Sequence, residues 1–155
     1  KRFLLITQNV DNLHQAAGSQ QIVELHGNIF RTRCHHCGTR QERNLAAVDL
    51  EEGLPHCQQC QGLLRPDVVW FGETLPAAAL NTAWEQSANS DFYLVVGTSA
   101  AVETAASFPI LALENGGTVL EINPNSSNLS HRFSYRLPHP AGEALPALVQ
   151  ALQQG

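Results

Sequence analysis

The chain has 155 residues, 43% of them hydrophobic and 15% charged, with 11 Gly and 8 Pro. That composition fits one globular domain, or one domain carrying a small inserted module, and excludes two independent large cores as well as a disordered or fibrous chain. Nine Lys and Arg against 14 Asp and Glu give a formal charge of −5, which argues against nucleic acid or an anionic membrane as the main partner and for a small or neutral ligand.

The N-terminal Phe3 to Thr7 run predicts a short buried strand, and Asn12 to Ala17 a helical stretch after it. Further strands are predicted at Val68 to Phe71, Phe92 to Gly97 and Thr118 to Ile122, each rich in Val, Ile, Leu or Phe, as parallel-sheet strands are. Helices are predicted over Pro76 to Ala88, Glu103 to Asn115 and Glu143 to Gln153. Pro109 is expected to kink or shorten the third helix, Gly116-Gly117 to stop it, and Gly142 or Pro140 to mark entry to the last. Alternation of strand and helix after Leu64 predicts an α/β sheet with helical crossovers.

Arg31 to Arg65 breaks this pattern. It holds all four cysteines, five of the nine cations and a polar loop from Thr39 to Glu52, and it reads as a small inserted module. No stretch approaches the roughly 18–20 apolar residues of a membrane span, so a soluble chain with no membrane partner is expected. The chain opens at Lys1 and contains no Met, which suggests a piece of a longer protein.

Cys34-His35-His36-Cys37 and Cys57-Gln58-Gln59-Cys60 stand nineteen residues apart, the spacing of a structural zinc site. Two such turns complete a closed tetrahedron of thiolates around Zn²⁺ with no open position for water or substrate. The alternatives are buried free thiols or an oxidised pair, and the metal reading implies a reducing compartment such as the cytoplasm. His35, His36 and His56 could compete as ligands. Four thiolates leave an excess negative charge that Arg31, Arg33, Arg40, Arg43 and Arg65 would offset, unless those arginines simply form a solvated surface.

Three strand ends are polar. Thr7-Gln8-Asn9-Val10-Asp11, Gly97-Thr98-Ser99 with Glu103 beyond it, and Glu121-Ile122-Asn123 all lie where open α/β sheets bind ligands. Asn9 and Asp11 are also good helix caps, so ligand contact and capping both stand for them. In Glu24-Leu25-His26-Gly27-Asn28 the lone His26 is either a structural residue or a general base, since imidazole titrates near neutrality. Val68-Val69-Trp70-Phe71-Gly72-Glu73 reads as an extended run whose Gly permits close backbone approach; it is either a buried strand or an edge to which an extended peptide adds.

Together, in this order and over nearly the whole chain, these motifs resemble the sirtuins, the NAD-dependent protein-lysine deacylases. The resemblance rests on Thr7 to Asp11, Glu24 to Asn28, the paired Cys-x-x-Cys, Arg65-Pro66-Asp67 running into Val68 to Glu73, Gly97 to Ser99 and Glu121 to Asn123. It implies a Rossmann-like NAD-binding domain from residues 1–30 and 66–155 and a zinc-binding module from residues 31–65, with NAD and an acyl-lysine protein or peptide meeting in the cleft between them. It gives His26 the role of catalytic base, makes Asn9 a second catalytic residue, and places Gln8 and Asn9 at the nicotinamide ribose and the reacting centre, with Val10 beside them and Asp11 at the carboxamide. Gly97, Thr98 and Ser99 match phosphate and ribose contacts, Asn123, Pro124 and Asn125 the adenosine-ribose edge, and Ala141 a contact near adenine. Val68, Phe71, Gly72 and Glu73 match the strand that pairs with the substrate peptide, and Cys34, Cys37, Cys57 and Cys60 the zinc ligands. Trp70 is similar to the subgroup that removes succinyl and malonyl groups.

The family's first strand and Gly-rich phosphate loop have no counterpart, since no G-x-G-x-x-G occurs. The sheet is therefore expected to be incomplete and the isolated chain to have weak or no activity. Two other functions fit the residues: an inactive zinc-stabilised peptide-binding module, and a mono-ADP-ribosyltransferase using the same electrophile. A nucleic-acid-binding zinc ribbon is disfavoured by the charge and by Lys1 being the single Lys.

Overall fold

A computed structural model describes residues 3–42 and 53–154. The predicted loop from Thr39 to Glu52, and Arg43 within it, lies largely outside the described residues. The chain divides into two compact units, Lys1–Leu80 and Asn81–Gly155, and the fold is mixed α/β with a parallel sheet.

In the first unit, β1 (Leu5–Thr7) and β2 (Ile22–Glu24) pair in parallel, with Leu5 opposite Ile22 and Thr7 opposite Glu24. The short helix α1 (Leu13–Ala16) lies in the connection, shorter than the predicted Asn12 to Ala17. A three-stranded antiparallel sheet follows, with β3 (Gly27–Cys34) between β4 (Arg40–Gln41) and β5 (Leu64–Val68). β3 escaped the sequence reading because its register shifts between Asn28 and Thr32 and scrambles the alternation of buried and exposed residues.

β5 corrects an expectation. The strand predicted at Val68 to Phe71 lies earlier, at Leu64–Val68, and runs antiparallel to β3 instead of joining a parallel sheet. Beyond Val68 the chain leaves the ladder and turns: the Glu73 N–H bonds the Trp70 carbonyl at 3.0 Å, and the Trp70 N–H returns to the Glu73 carboxylate at 3.0 Å. Within the chain, close backbone approach falls at Gly27, while the space beside Gly72 is open. A Cβ on Gly72 would meet nothing within 4 Å, whereas one on Gly27, at φ +81°, would sit 1.9 Å from the Asp67 carbonyl oxygen. Gly27 is what lets the start of β3 lie against the end of β5.

In the second unit, β6 (Phe92–Val96), β7 (Thr118–Ile122) and β8 (Tyr135–Leu137) form a parallel sheet in that order. The unit boundary falls within helix α2 (Ala77–Ala88). β7 is central and its last four residues are buried, so alternate side chains serve two cores. Val119 packs with Val95 and with Ala112 of α3 (Glu103–Glu114), while Leu120 and Ile122 pack with Ala144 of α4 (Ala141–Gln154). Pro109 lies inside α3 without ending it; burial of Phe108 and Ala112 in the same turns offsets the lost backbone bond. The stop at Gly116-Gly117 forms as expected, with both N–H groups turned back onto α3. α4 begins two residues before Glu143, its first turn closed on the Pro140 carbonyl. β7 reaches β8 through a loop with one 3-10 turn, Ser130–Arg132, and no helical crossover.

Candidate functional site

The cysteines sit on two turns built alike. Cys34 N–H bonds the Thr39 carbonyl and Gly38 N–H the Cys34 carbonyl; Cys57 N–H bonds the Gly62 carbonyl and Gln61 N–H the Cys57 carbonyl. Each turn closes through a left-handed residue, Gly38 at φ +74° and Gln61 at φ +60°. The turns aim backbone N–H groups at sulfur: His36 and Cys37 at Cys34 Sγ, 3.3 and 3.4 Å, and Gln59 at Cys57 Sγ, 3.4 Å. Such donors stabilise thiolates.

All four Sγ atoms lie within 4.8 Å of one another, with Cys34 and Cys60 3.4 Å apart and Cys37 and Cys57 3.7 Å apart. A tetrahedron with Zn–S bonds of about 2.3 Å has edges near ~3.8 Å, so the set fits zinc, and the thiols are free of disulfides. Gly62 closes over the set, since a Cβ there would stand 3.1 Å from Cys34 Sγ and 3.3 Å from Cys60 Sγ. Without a cation the thiols oppose one another. Thr39, through its hydroxyl and its backbone, holds Cys37 down to about 6, whereas Cys60, despite a favourable backbone bond at Gly62, is pushed up to about 12 by Cys37 and Cys34. Among the described residues no histidine joins the cluster; His56 Nδ1 instead lies 2.7 Å from the Gln61 carbonyl.

Arg31, Arg33, Arg40 and Arg65 are paired with carboxylates, and Arg43 lies outside the described residues. Asp67, 4% exposed, gathers Arg31, Arg33 and Arg40 at 3.5, 4.0 and 2.9 Å. Glu73 takes Arg33 at 2.7 Å and Arg65 at 2.5 Å, and Arg65 also covers the Trp70 ring at 4.1 Å. Four guanidiniums are thus committed to carboxylates of the first unit. Spacing alone gave no sign of this, because Asp67 and Glu73 are far in sequence from Arg31, Arg33 and Arg40.

His26 lies one residue beyond β2, after the buried Leu25. Its Nδ1 lies 3.0 Å from the Gln8 carbonyl oxygen. A carbonyl only accepts, so Nδ1 carries a proton, and in the neutral ring the lone pair is then on Nε2. The Val69 N–H bonds the His26 carbonyl at 3.0 Å, tying the same residue to the end of β5. On the facing segment, Asn9 is exposed and its N–H bonds Thr7 Oγ1, Asp11 accepts the Leu13 N–H at 3.1 Å as a cap would, and the Val10 carbonyl holds Ile29. A network not anticipated from sequence braces the loop: Glu24 accepts from Gln15 and Asn28, both at 2.6 Å, and from Arg31 at 2.5 Å.

In the second unit a cavity of about 450 Å³ opens at the carboxyl ends of β6 and β7. Gly97, Thr98, Ser99, Asn123 and Asn125, named above as candidate ligand contacts, line it together with Ala101, Ser126 and Asn128. The Asn123 side chain donates to the Thr98 carbonyl at 2.8 Å and its oxygen accepts the Asn125 N–H, fixing the floor. Pro124 and Ala141 are not among the lining residues; the Pro124 carbonyl faces Arg136 and Ala141 opens α4. The lining offers hydroxyls, amides and backbone groups and no charge, which suits sugar hydroxyls. The polar run from Asn125 to Asn128 was the sequence signal for the added residues.

The family model described as "Sir2 family" matches residues 1–104. An NAD-dependent protein deacylase of Pyrococcus furiosus is 46% identical over 153 residues, covering 97% of this chain and 61% of the relative. One from Aquifex aeolicus is 45% identical, covering 98% and 63%. A Sir2 homolog solved in complex with NAD superposes with a TM-score of 0.92 at 41% identity, covering 98% of this chain and 59% of that one. A Sir2 solved with a p53 peptide and NAD⁺ gives 0.88 at 30% identity, covering 99% and 64%. The chain therefore spans about three fifths of the length of the curated relatives it matches.

Proposed function

The chain belongs to the Sir2 family, and from that premise we propose that it carries the base and much of the ligand grip of an NAD-dependent protein-lysine deacylase. The observation that carries the reading is the His26 ring, held at Nδ1 by the Gln8 carbonyl so that Nε2 is left to accept a proton. NAD is a consumed substrate, supplying an electrophilic ribose carbon from which nicotinamide leaves. The acyl oxygen of the substrate lysine attacks that carbon as nicotinamide leaves. His26 Nε2 then takes a proton from a ribose hydroxyl, the hydroxyl oxygen attacks the acyl carbon, the lysine amine leaves with a proton, and water adds to the remaining cyclic acyl cation to give O-acyl-ADP-ribose.

Gln8, Asn9 and Val10 orient the nicotinamide ribose and Asp11 the carboxamide. Gly97, Thr98 and Ser99 hold phosphate and ribose, Asn123, Pro124 and Asn125 the adenosine ribose, and Ala141 the adenine edge. Val68, Phe71 and Gly72 receive the acyl-lysine peptide. Glu73 acts there by holding the turn, because its carboxylate is taken by Arg33, Arg65 and the Trp70 N–H. Residues 31–65 form the zinc module of a Rossmann-like domain made of residues 1–30 and 66–155, and Cys34, Cys37, Cys57 and Cys60 hold zinc in a structural role. Trp70 favours an acidic acyl group, and four unpaired thiols suit a reducing cytoplasm.

The test is mass spectrometry of the full-length protein with NAD and a pair of acetyl-lysine and succinyl-lysine peptides. Nicotinamide, O-acyl-ADP-ribose and free-lysine peptide are expected. ADP-ribosylated peptide in their place would convert the reading to transfer, and no nicotinamide release from either peptide would overturn it.

A further inference from the structure

Glu121 breaks the rule of its strand. β7 reads Thr118-Val119-Leu120-Glu121-Ile122, and Glu121 is 0% exposed. A carboxylate there loses its hydration, and an apolar side chain would serve the core better. Its partners show what the carboxylate does. Ser127 Oγ donates to one oxygen at 2.5 Å, Ser130 Oγ donates to the other, and Arg136, its register partner on β8, brings Nε to 3.3 Å.

These partners grip both ends of one segment. Arg136 donates from Nη2 to the carbonyls of Asn123 and Pro124, at 3.2 and 3.3 Å. At the far end the Ser127 N–H bonds Ser130 Oγ at 2.7 Å, so the two serines close on each other as well as on Glu121. Between the clamps lie Asn125, Ser126 and Asn128, which with Asn123 form one wall of the 450 Å³ cavity. No sheet ladder sets the path of this wall after Asn123. The buried carboxylate holds its two ends, with the Asn125 N–H on Asn123 Oδ1 and the Asn128 N–H on the Ser99 carbonyl between them.

We propose that Glu121 is a positioning residue for the adenosine end of NAD: it touches no ligand, and it fixes the segment from Asn123 to Ser130 in the shape that the ligand meets. The inference rests on the proposed reading of the cavity as an NAD site. Removing the carboxylate frees the loop, so the ligand must order it on binding, and the loss falls on NAD affinity.

The experiment uses the full-length protein, with calorimetric titration of ADP-ribose and steady-state kinetics, on Glu121→Gln and on the pair Ser127→Ala with Ser130→Ala. Expected in both variants are a roughly tenfold weaker ADP-ribose affinity and a similar rise in KM for NAD, with KM for the peptide and kcat at saturating NAD within about twofold of the parent. A purely structural role would lower kcat through fewer active molecules and leave both KM values alone, which would overturn the proposal. Unchanged ADP-ribose affinity would overturn it too. Should Glu121→Gln fail to fold, the serine pair, which keeps the carboxylate, carries the test. A parent protein that binds no ADP-ribose would sink the reading of the cavity itself, an outcome visible before any variant is compared.

Discussion

Among the described residues of Lys1–Leu80 the buried apolar side chains are few, Val23, Leu25 and Leu64 beside the thiols of Cys34 and Cys57, whereas Asn81–Gly155 buries Val95, Phe108, Val119, Leu120 and Ile122. Ion pairs divide the other way. Of the seven among the described residues, only Arg136 with Glu121 lies in the second unit. The first unit therefore depends on a small number of strong, specific links, a metal set and buried carboxylates, while the second depends on burial of apolar area spread over a sheet. The second fold degrades by increments when residues change; the first fails at points.

Removing the metal should produce the largest difference between them. Structural zinc contributes on the order of 10–16 kcal/mol to such sites, so a strong chelator should abolish hydrogen-exchange protection in β3, β4 and β5 and leave it intact in β6, β7 and β8. Equal loss in both units would break the comparison. Next in size, Ile122→Ala empties a fully buried site of the second unit and should cost about 2–5 kcal/mol in denaturant unfolding, with protection lost in β6 to β8 first.

Gly27→Ala sharpens the point about single links in the first unit. The new methyl would strike the Asp67 carbonyl, backbone against backbone, and should cost about 3 kcal/mol or more. Gly72→Ala, strained only by φ +86°, should cost about 1–2 kcal/mol; similar losses at the two positions would contradict the assignment of close approach to Gly27. The smallest effect has the opposite sign. Gln61 holds the left-handed position that Gly38 holds in the other cysteine turn, so Gln61→Gly should raise the thermal midpoint by the equivalent of about 0.5–1 kcal/mol.

The two units were legible in the sequence for different reasons. β6, β7 and α3 follow from continuous apolar runs and a glycine stop, and their predicted ends fall within a residue of the observed ones. In the first unit apolar runs located β1 and α1 but failed beyond them. β3 carries Arg31 and Arg33 and a register shift, and β5 carries Pro66 and Asp67, so neither reads as a strand. What was legible there was chemistry: the cysteine spacing placed four thiols that do converge, and the order of short motifs placed the chain in its family. The fate of the arginines was hidden, because their carboxylate partners are brought to them only by the pairing of β3 with β5. Glu121 was read as one polar strand end among three, and only the fold shows it buried beneath Ser127 and Ser130.

The most direct measurement is the fate of the two half-reactions in His26→Ala of the full-length protein, with nicotinamide release and free-lysine peptide followed in one time course. In the proposed role His26 Nε2 takes a proton only after nicotinamide has left, so the variant should still release or exchange nicotinamide while forming free-lysine peptide at least about a hundredfold more slowly. Undiminished deacylation by His26→Ala would contradict the assignment of His26 as the base.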